Sequence, residues 1–230
     1  MQSETAILEL QAAVAEPQLD LARNVPLSLR LLPGEGLLIE IADAVSTAIF
    51  ADLCMGLVPL QSGHVRFIGN DWQELPDEYT AALRGRIGRV FSTGAWVPFL
   101  GVETSILLPL IHHTRRDRGE LQSEAVALAR EFGLPGLPLD QPADVAAGDL
   151  DRAALVRAFL GEPVLVLVED RPDVSLARIP AVLNRIVTVR DRGGGIVWLA
   201  RSPAIRGVPF PASQHLRLSD QGLALVRSVG

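Results

Sequence analysis

Residues Val145 to Pro172 read VAAGDLDRAALVRAFLGEPVLVLVEDRP. Small residues open this stretch, an Ala/Leu/Arg run of helical character follows, and Glu162-Pro163 makes a turn. Val164 to Val168 is then continuous aliphatic, as expected of a central strand covered on both faces of its sheet. Glu169 and Asp170 stand at the carboxyl end of that strand, where open α/β sheets place their ligand chemistry. Loop, helix, buried strand and paired acids together predict a layered α/β protein with its site at this strand end.

Composition narrows the field. The chain has 230 residues, 48% hydrophobic and 21% charged, which suits a globular domain with a sizeable core. No apolar run reaches the roughly 20 residues of a membrane span, and no signal segment is expected. A net charge of −6 argues against nucleic acid as a partner. The single cysteine, Cys54, allows no internal disulfide and fits the cytoplasm. All 21 basic residues are arginine, so any chemistry that needs an ammonium group on a phosphate is excluded.

Outward from the opening stretch, residues 5–13 and 26–32 read as two strands of a small antiparallel sheet, and GLLIEIA after Pro33-Gly34-Glu35 as a further strand. Helices are expected over 47–57, about 77–85, 123–132 and 176–191, and strands at RIGRVF (86–91), IVWLA (196–200) and on both sides of Asp220-Gln221 within 214–228. TRRDRGELQ (114–122) reads as a solvated charged connection, and Pro135 to Pro142 as a proline-rich turn. His112 and His113 have no partners at metal-ligand spacing, so no metal is expected there.

The loop–helix–strand order of the opening stretch resembles that of ABC-transporter ATPases. Their signature loop LSGGQ opens a helix leading to the Walker B strand and its Asp-Glu pair. The likeness extends from about Ala6 to Val226 through Gly34, Gly56, Gly63, Gly148, Arg152, Arg157 and the strand 164–168. It implies one ABC ATPase-like domain over 1–230: a P-loop-type α/β core (1–93 and 160–230) with a small N-terminal antiparallel sheet and a helical subdomain over 94–159. Phe91 to Trp96 and the later LLPLIHHT are similar to the Mla/MCE-type phospholipid-transport ATPases.

Against that family the chemical positions are altered. A working phosphate loop needs glycines whose N–H groups wrap phosphate, a lysine, and a Ser/Thr hydroxyl for magnesium. Here Ile41, Ala44 and Ser46 fall at the glycines, Thr47 at the lysine and Ala48 at the hydroxyl, with Asp43 adding negative charge. The alternative is an ordinary strand–turn–helix capped by Asp43 or Ser46. A shifted register places Ser46 or Thr47 on the metal but recovers neither glycines nor lysine. Ser92 replaces the glutamine after Val90-Phe91, and the signature becomes Val145, Ala146, Ala147, Gly148 and Asp149. The Walker B acids are inverted to Glu169-Asp170, Arg171 and Leu176 take the places of the following proline and aspartate, and Arg201 that of the switch histidine. No aromatic precedes Phe50 to stack on adenine.

The resemblance therefore implies an inactive relative that takes no cofactor. ATP and magnesium enter only if Glu169 and Asp170 form a reorganised, weakly active site. It also implies a peripheral subunit on the inner face of the cytoplasmic membrane, docked on an integral-membrane permease and paired with an active ATPase paralogue. Trp96, Pro98, Phe99 and Leu100 are the expected docking residues, or alternatively pack the helical subdomain. A structural homodimer beneath the transporter and a soluble regulator are the other readings.

Overall fold

Alternation along the aliphatic strands sets the layers. The computed structural model describes residues 4–170, 180–201 and 210–228. A six-stranded sheet is formed by β3 (Gly36–Ile41), β6 (Ile87–Val90), β7 (Leu165–Glu169), β8 (Gly195–Arg201), β9 (Gln214–Ser219) and β10 (Gly222–Ser228). Its order is β10-β9-β3-β8-β7-β6, parallel except for β10, which pairs antiparallel with β9. Successive side chains of a strand face opposite ways. Leu165 and Leu167 accordingly enter one core, and Val166 and Val168 the other.

The first core lies under a second sheet, antiparallel and ordered β2-β1-β4-β5. It is built from β1 (Leu8–Ala15), β2 (Leu27–Leu31), β4 (Leu60–Phe67) and β5 (Asn70–Asp71). Helix α1 (Ala44–Cys54) contributes Phe50, Ala51 and Leu53 to the same core. Ile68 and Gly69, both at positive φ, make the tight turn from β4 to β5. The second core is closed by α3 (Val102–His113), α4 (Arg118–Glu131), α5 (Ala147–Phe159) and α6 (Pro180–Asp191), while α2 (Asp77–Arg84) precedes β6. No described helix is long and apolar enough to cross a membrane.

This is the α/β architecture, with its added antiparallel sheet and helical part, that the resemblance implies. Two local expectations change. Helix α1 begins at Ala44 rather than at 47, because Asp43 caps it and Ala44-Val45 has no glycine to hold the backbone open. The charged connection 114–122 is half helix: Asp117 accepts from the amides of Gly119 and Glu120 and starts α4 at Arg118. Arg171 and Leu176 lie outside the described residues.

Candidate functional site at the carboxyl end of the central strands

Strands β3, β6, β7 and β8 deliver the expected site residues to one end of the sheet. Between β3 and α1 stand only Ala42 and Asp43. The Asp43 carboxylate accepts the Ser46 amide at 2.8 Å and the Ser46 hydroxyl at 2.7 Å, and the Asp43 carbonyl accepts the Thr47 hydroxyl at 2.7 Å. Ser46 and Thr47 are thus spent on the helix start, as the capped strand–turn–helix alternative predicts, and the side chain of Thr47 is buried. The Ser46 amide, then its hydroxyl, hold the Asp43 carboxyl below its ordinary range, with a smaller contribution from the Arg201 charge. Arg201, at the switch position, therefore lies within electrostatic reach of the phosphate-loop position.

Because its folded pKa is depressed, Asp43 stabilises the fold above the unfolded carboxylate pKa of about 4, and this contribution fades as pH falls through the lower folded value. Asp43→Ala is expected to cost about 1 kcal/mol at pH 7 and much less near pH 2, whereas Asp43→Asn keeps the cap at both. Chemical denaturation of the three proteins at the two pH values checks this.

At the end of β7, Glu169 and Asp170 are both 2% exposed. The Glu169 carboxylate is fully partnered. The Arg89 Nε donates to its Oε1 at 2.7 Å, and the Ser92 amide and hydroxyl donate to its Oε2 at 3.2 and 3.0 Å. Ser92 is too short for the role of a glutamine but does reach the strand-end acid. Arg89, from the adjacent β6, also donates to Asp52 and to the Ala48 carbonyl of α1, and lies 4.3 Å over the Phe91 ring. Arg89 and Asp52 were not expected at the site. The available signal was the second arginine of RIGRVF, set among apolar residues, and it becomes informative only once β6 is known to pair with β7.

The signature positions lie apart from that network. Ala146 is the residue before α5, Ala147 and Gly148 are exposed in its first turn, and Asp149 pairs with Arg152 at 3.2 Å. In the segment expected to dock, Pro98 and Phe99 project into solvent, Phe99 being 76% exposed, while Leu100 is half-buried. Trp96 instead packs on the helical core, with the Arg157 guanidinium 4.4 Å over its ring. Arg157 donates to the carbonyls of Gly94 and Ala95, and burial lowers its pKa to about 10, so it stays charged at neutral pH. A cavity of about 200 Å³ opens beside it, lined by Arg84, Ile87, Phe91, Ile106 and Leu110. Among the described residues no cluster of three or more His, Cys, Asp or Glu side chains is placed to hold a metal.

The helix amide of Ser46 is occupied by Asp43, the loop lacks lysine, and both oxygens of Glu169 are engaged.

No family model matches the chain. Individual proteins do. The nickel import ATP-binding protein NikE of Pseudomonas putida is 29% identical over 173 residues, covering 73% of this chain and 63% of NikE. The oligopeptide transport ATP-binding protein OppF of Escherichia coli K12 is 27% identical over 77% of this chain, which spans only 55% of OppF. Among solved structures, the dimeric post-hydrolysis state of the ATP-binding cassette MJ0796 bound to ADP and Pi has a TM-score of 0.79 at 17% identity, covering 96% of this chain and all of that one. That likeness establishes the fold. The same comparisons correct the expectation that no cofactor is taken: these relatives are ATP-binding proteins by name, and MJ0796 was solved with ADP and Pi. The expectation rested on the side chains at the motif positions, whereas the likeness to nucleotide binders runs through the scaffold. The ABC transporter ATP-binding protein YbbA of Escherichia coli K12 is 30% identical over 175 residues, 74% of each chain, and the present chain belongs to this family of ABC transporter ATP-binding proteins.

Proposed function

We propose that the chain is the ATP-binding subunit of a membrane transporter, and that it is the slow or non-hydrolysing member of an asymmetric pair completed by an active paralogue. The observation that carries this reading is the capture of Glu169 by Arg89 and Ser92, which leaves the strand-end acid engaged on both oxygens. Displacing a catalytic group by about 1 Å costs on the order of a hundredfold in rate. ATP is retained as the ligand of the assembly, in keeping with the named relatives. The paralogue supplies the lysine, metal ligands and base that this chain lacks.

The subunit would sit peripherally on the cytoplasmic face of the membrane, with the helical part over 94–159 turned to the permease. The exposed Pro98 and Phe99 support this placement, with the half-buried Trp96 and Leu100 as the foot of the same segment. A lipid cargo is supported by the likeness of Phe91 to Trp96 and LLPLIHHT to the Mla/MCE type.

The test is purification of the native assembly from membranes, with its chains counted by mass and its ATP turnover measured. One copy of this chain per intact paralogue, a permease and co-purified phospholipid are expected. The isolated chain should turn over ATP at least about a hundredfold more slowly than the assembly. Two copies of this chain on the permease would overturn the pairing, and full turnover by the isolated chain would overturn the slow member.

A further inference from the structure

We infer that Arg89 is the resident cation of the β7 carboxylate: its guanidinium fills the space around Glu169 that a divalent ion and its waters would need, so Glu169 is not a metal ligand in this chain. The geometry is that of a built site. A guanidinium presents five N–H groups in a rigid planar fork. In Arg89 each nitrogen has its own acceptor: Glu169 Oε1 for Nε, Asp52 Oδ1 and the Met55 sulfur for Nη1, and the Ala48 carbonyl for Nη2. The Phe91 ring covers one face of the fork at 4.3 Å.

The carboxylate is as fully committed as the cation. The second oxygen of Glu169 takes both Ser92 donors, and the side chain is 2% exposed. A divalent ion could reach Glu169 only by expelling a buried cation of the same sign, which opposes its approach. The fork also ties the middle and last turn of α1 to the end of β7, because Ala48 and Asp52 both lie on α1. A fixed internal charge thus does the structural work of an exchangeable metal. The inference concerns Glu169 alone and does not extend to Asp170. It depends on neither transport nor hydrolysis, so it can fail while the transporter reading stands, and the reverse.

The probe is Mn²⁺ alone, titrated into the purified full-length protein and followed by the loss of its free-ion electron paramagnetic resonance signal. Whatever Mn²⁺ the unaltered chain binds, Glu169→Gln is expected to bind it equally well, within about twofold. Arg89→Leu leaves Glu169 facing Asp52, and should gain a site at least about tenfold tighter, absent from Arg89→Leu/Glu169→Gln. A tenfold loss of Mn²⁺ affinity in Glu169→Gln with Arg89 intact would overturn the inference, as would equal binding by a folded Arg89→Leu and the unaltered chain. Should Arg89→Leu not fold, Arg89→Gln takes its place with the same two outcomes, and the Glu169→Gln comparison decides without either.

Discussion

Arg89→Leu is expected to cost about 3–5 kcal/mol of stability, because it strips a buried carboxylate of its cation. For a chain of this size that is a fall of roughly 6–20 °C in melting temperature. The asymmetry of the ion pair explains the size. Glu169 and Arg89 have side chains 2% and 5% exposed, so neither charge can turn to water once its partner is gone. Asp52, with 37% of its side chain exposed, can rehydrate and adds little to the loss. Ser92 keeps its two hydrogen bonds to Glu169 but carries no charge. Replacing both members, as in Arg89→Leu/Glu169→Leu, should recover most of the stability, since a buried pair exchanged for apolar side chains of similar volume is close to neutral. The double mutant should therefore be much less destabilised than the sum of the two single changes. Thermal and chemical denaturation of the four proteins measures this. A melting temperature for Arg89→Leu within about 2 °C of the unaltered chain would show that the pair does not bear on the fold.

The parts of the site that the sequence makes legible are those whose cause is local. VLVLV is buried on both faces whatever surrounds it, and β7 indeed sends Leu165 and Leu167 one way and Val166 and Val168 the other. The acids after it fall at the carboxyl end of a parallel strand, the expected place for ligand chemistry. Asp43 is legible as a cap because its acceptor and the Ser46 amide are three residues apart. The helix start was misplaced by counting from the family's phosphate loop, whose length rests on glycines that this chain does not have. The Arg89–Glu169 pair was not legible at all. Its members are 80 residues apart, and they meet only because β6 is the neighbour of β7 in a sheet order set by long-range packing.

That same adjacency makes Gly88→Ala the second large effect. Along β6 side chains alternate, so with Arg89 directed to α1 and β7, Gly88 faces the opposite layer, where α5 ends. A β-carbon at Gly88 would stand 1.9 Å from the Ala158 carbonyl oxygen and 2.9 Å from its carbon. Both are backbone atoms in the last turn of α5 and cannot rotate away. Relief requires the end of α5 to move off the sheet, which loosens its buried Leu155, Val156 and Phe159 from the core that they share with Val166 and Val168. Overpacking costs typically 1–3 kcal/mol, and a clash with backbone belongs at the upper end, about 3 kcal/mol. The other end of the same helix gives the control. At Gly148, in the first turn of α5, an added β-carbon meets nothing within 4 Å, and Gly148→Ala should be neutral or stabilising by up to about 1 kcal/mol through helix propensity. One chemical change at two ends of one helix should therefore have opposite signs. Chemical denaturation of both variants is the measurement; two values within about 0.5 kcal/mol of the unaltered chain would mean that α5 is not seated on β6. The seating matters for the site as well, because α5 carries Ala147 to Asp149 at one end while β6 carries Arg89 beside the other. The contact at Gly88 fixes how far the signature turn stands from the carboxylate network.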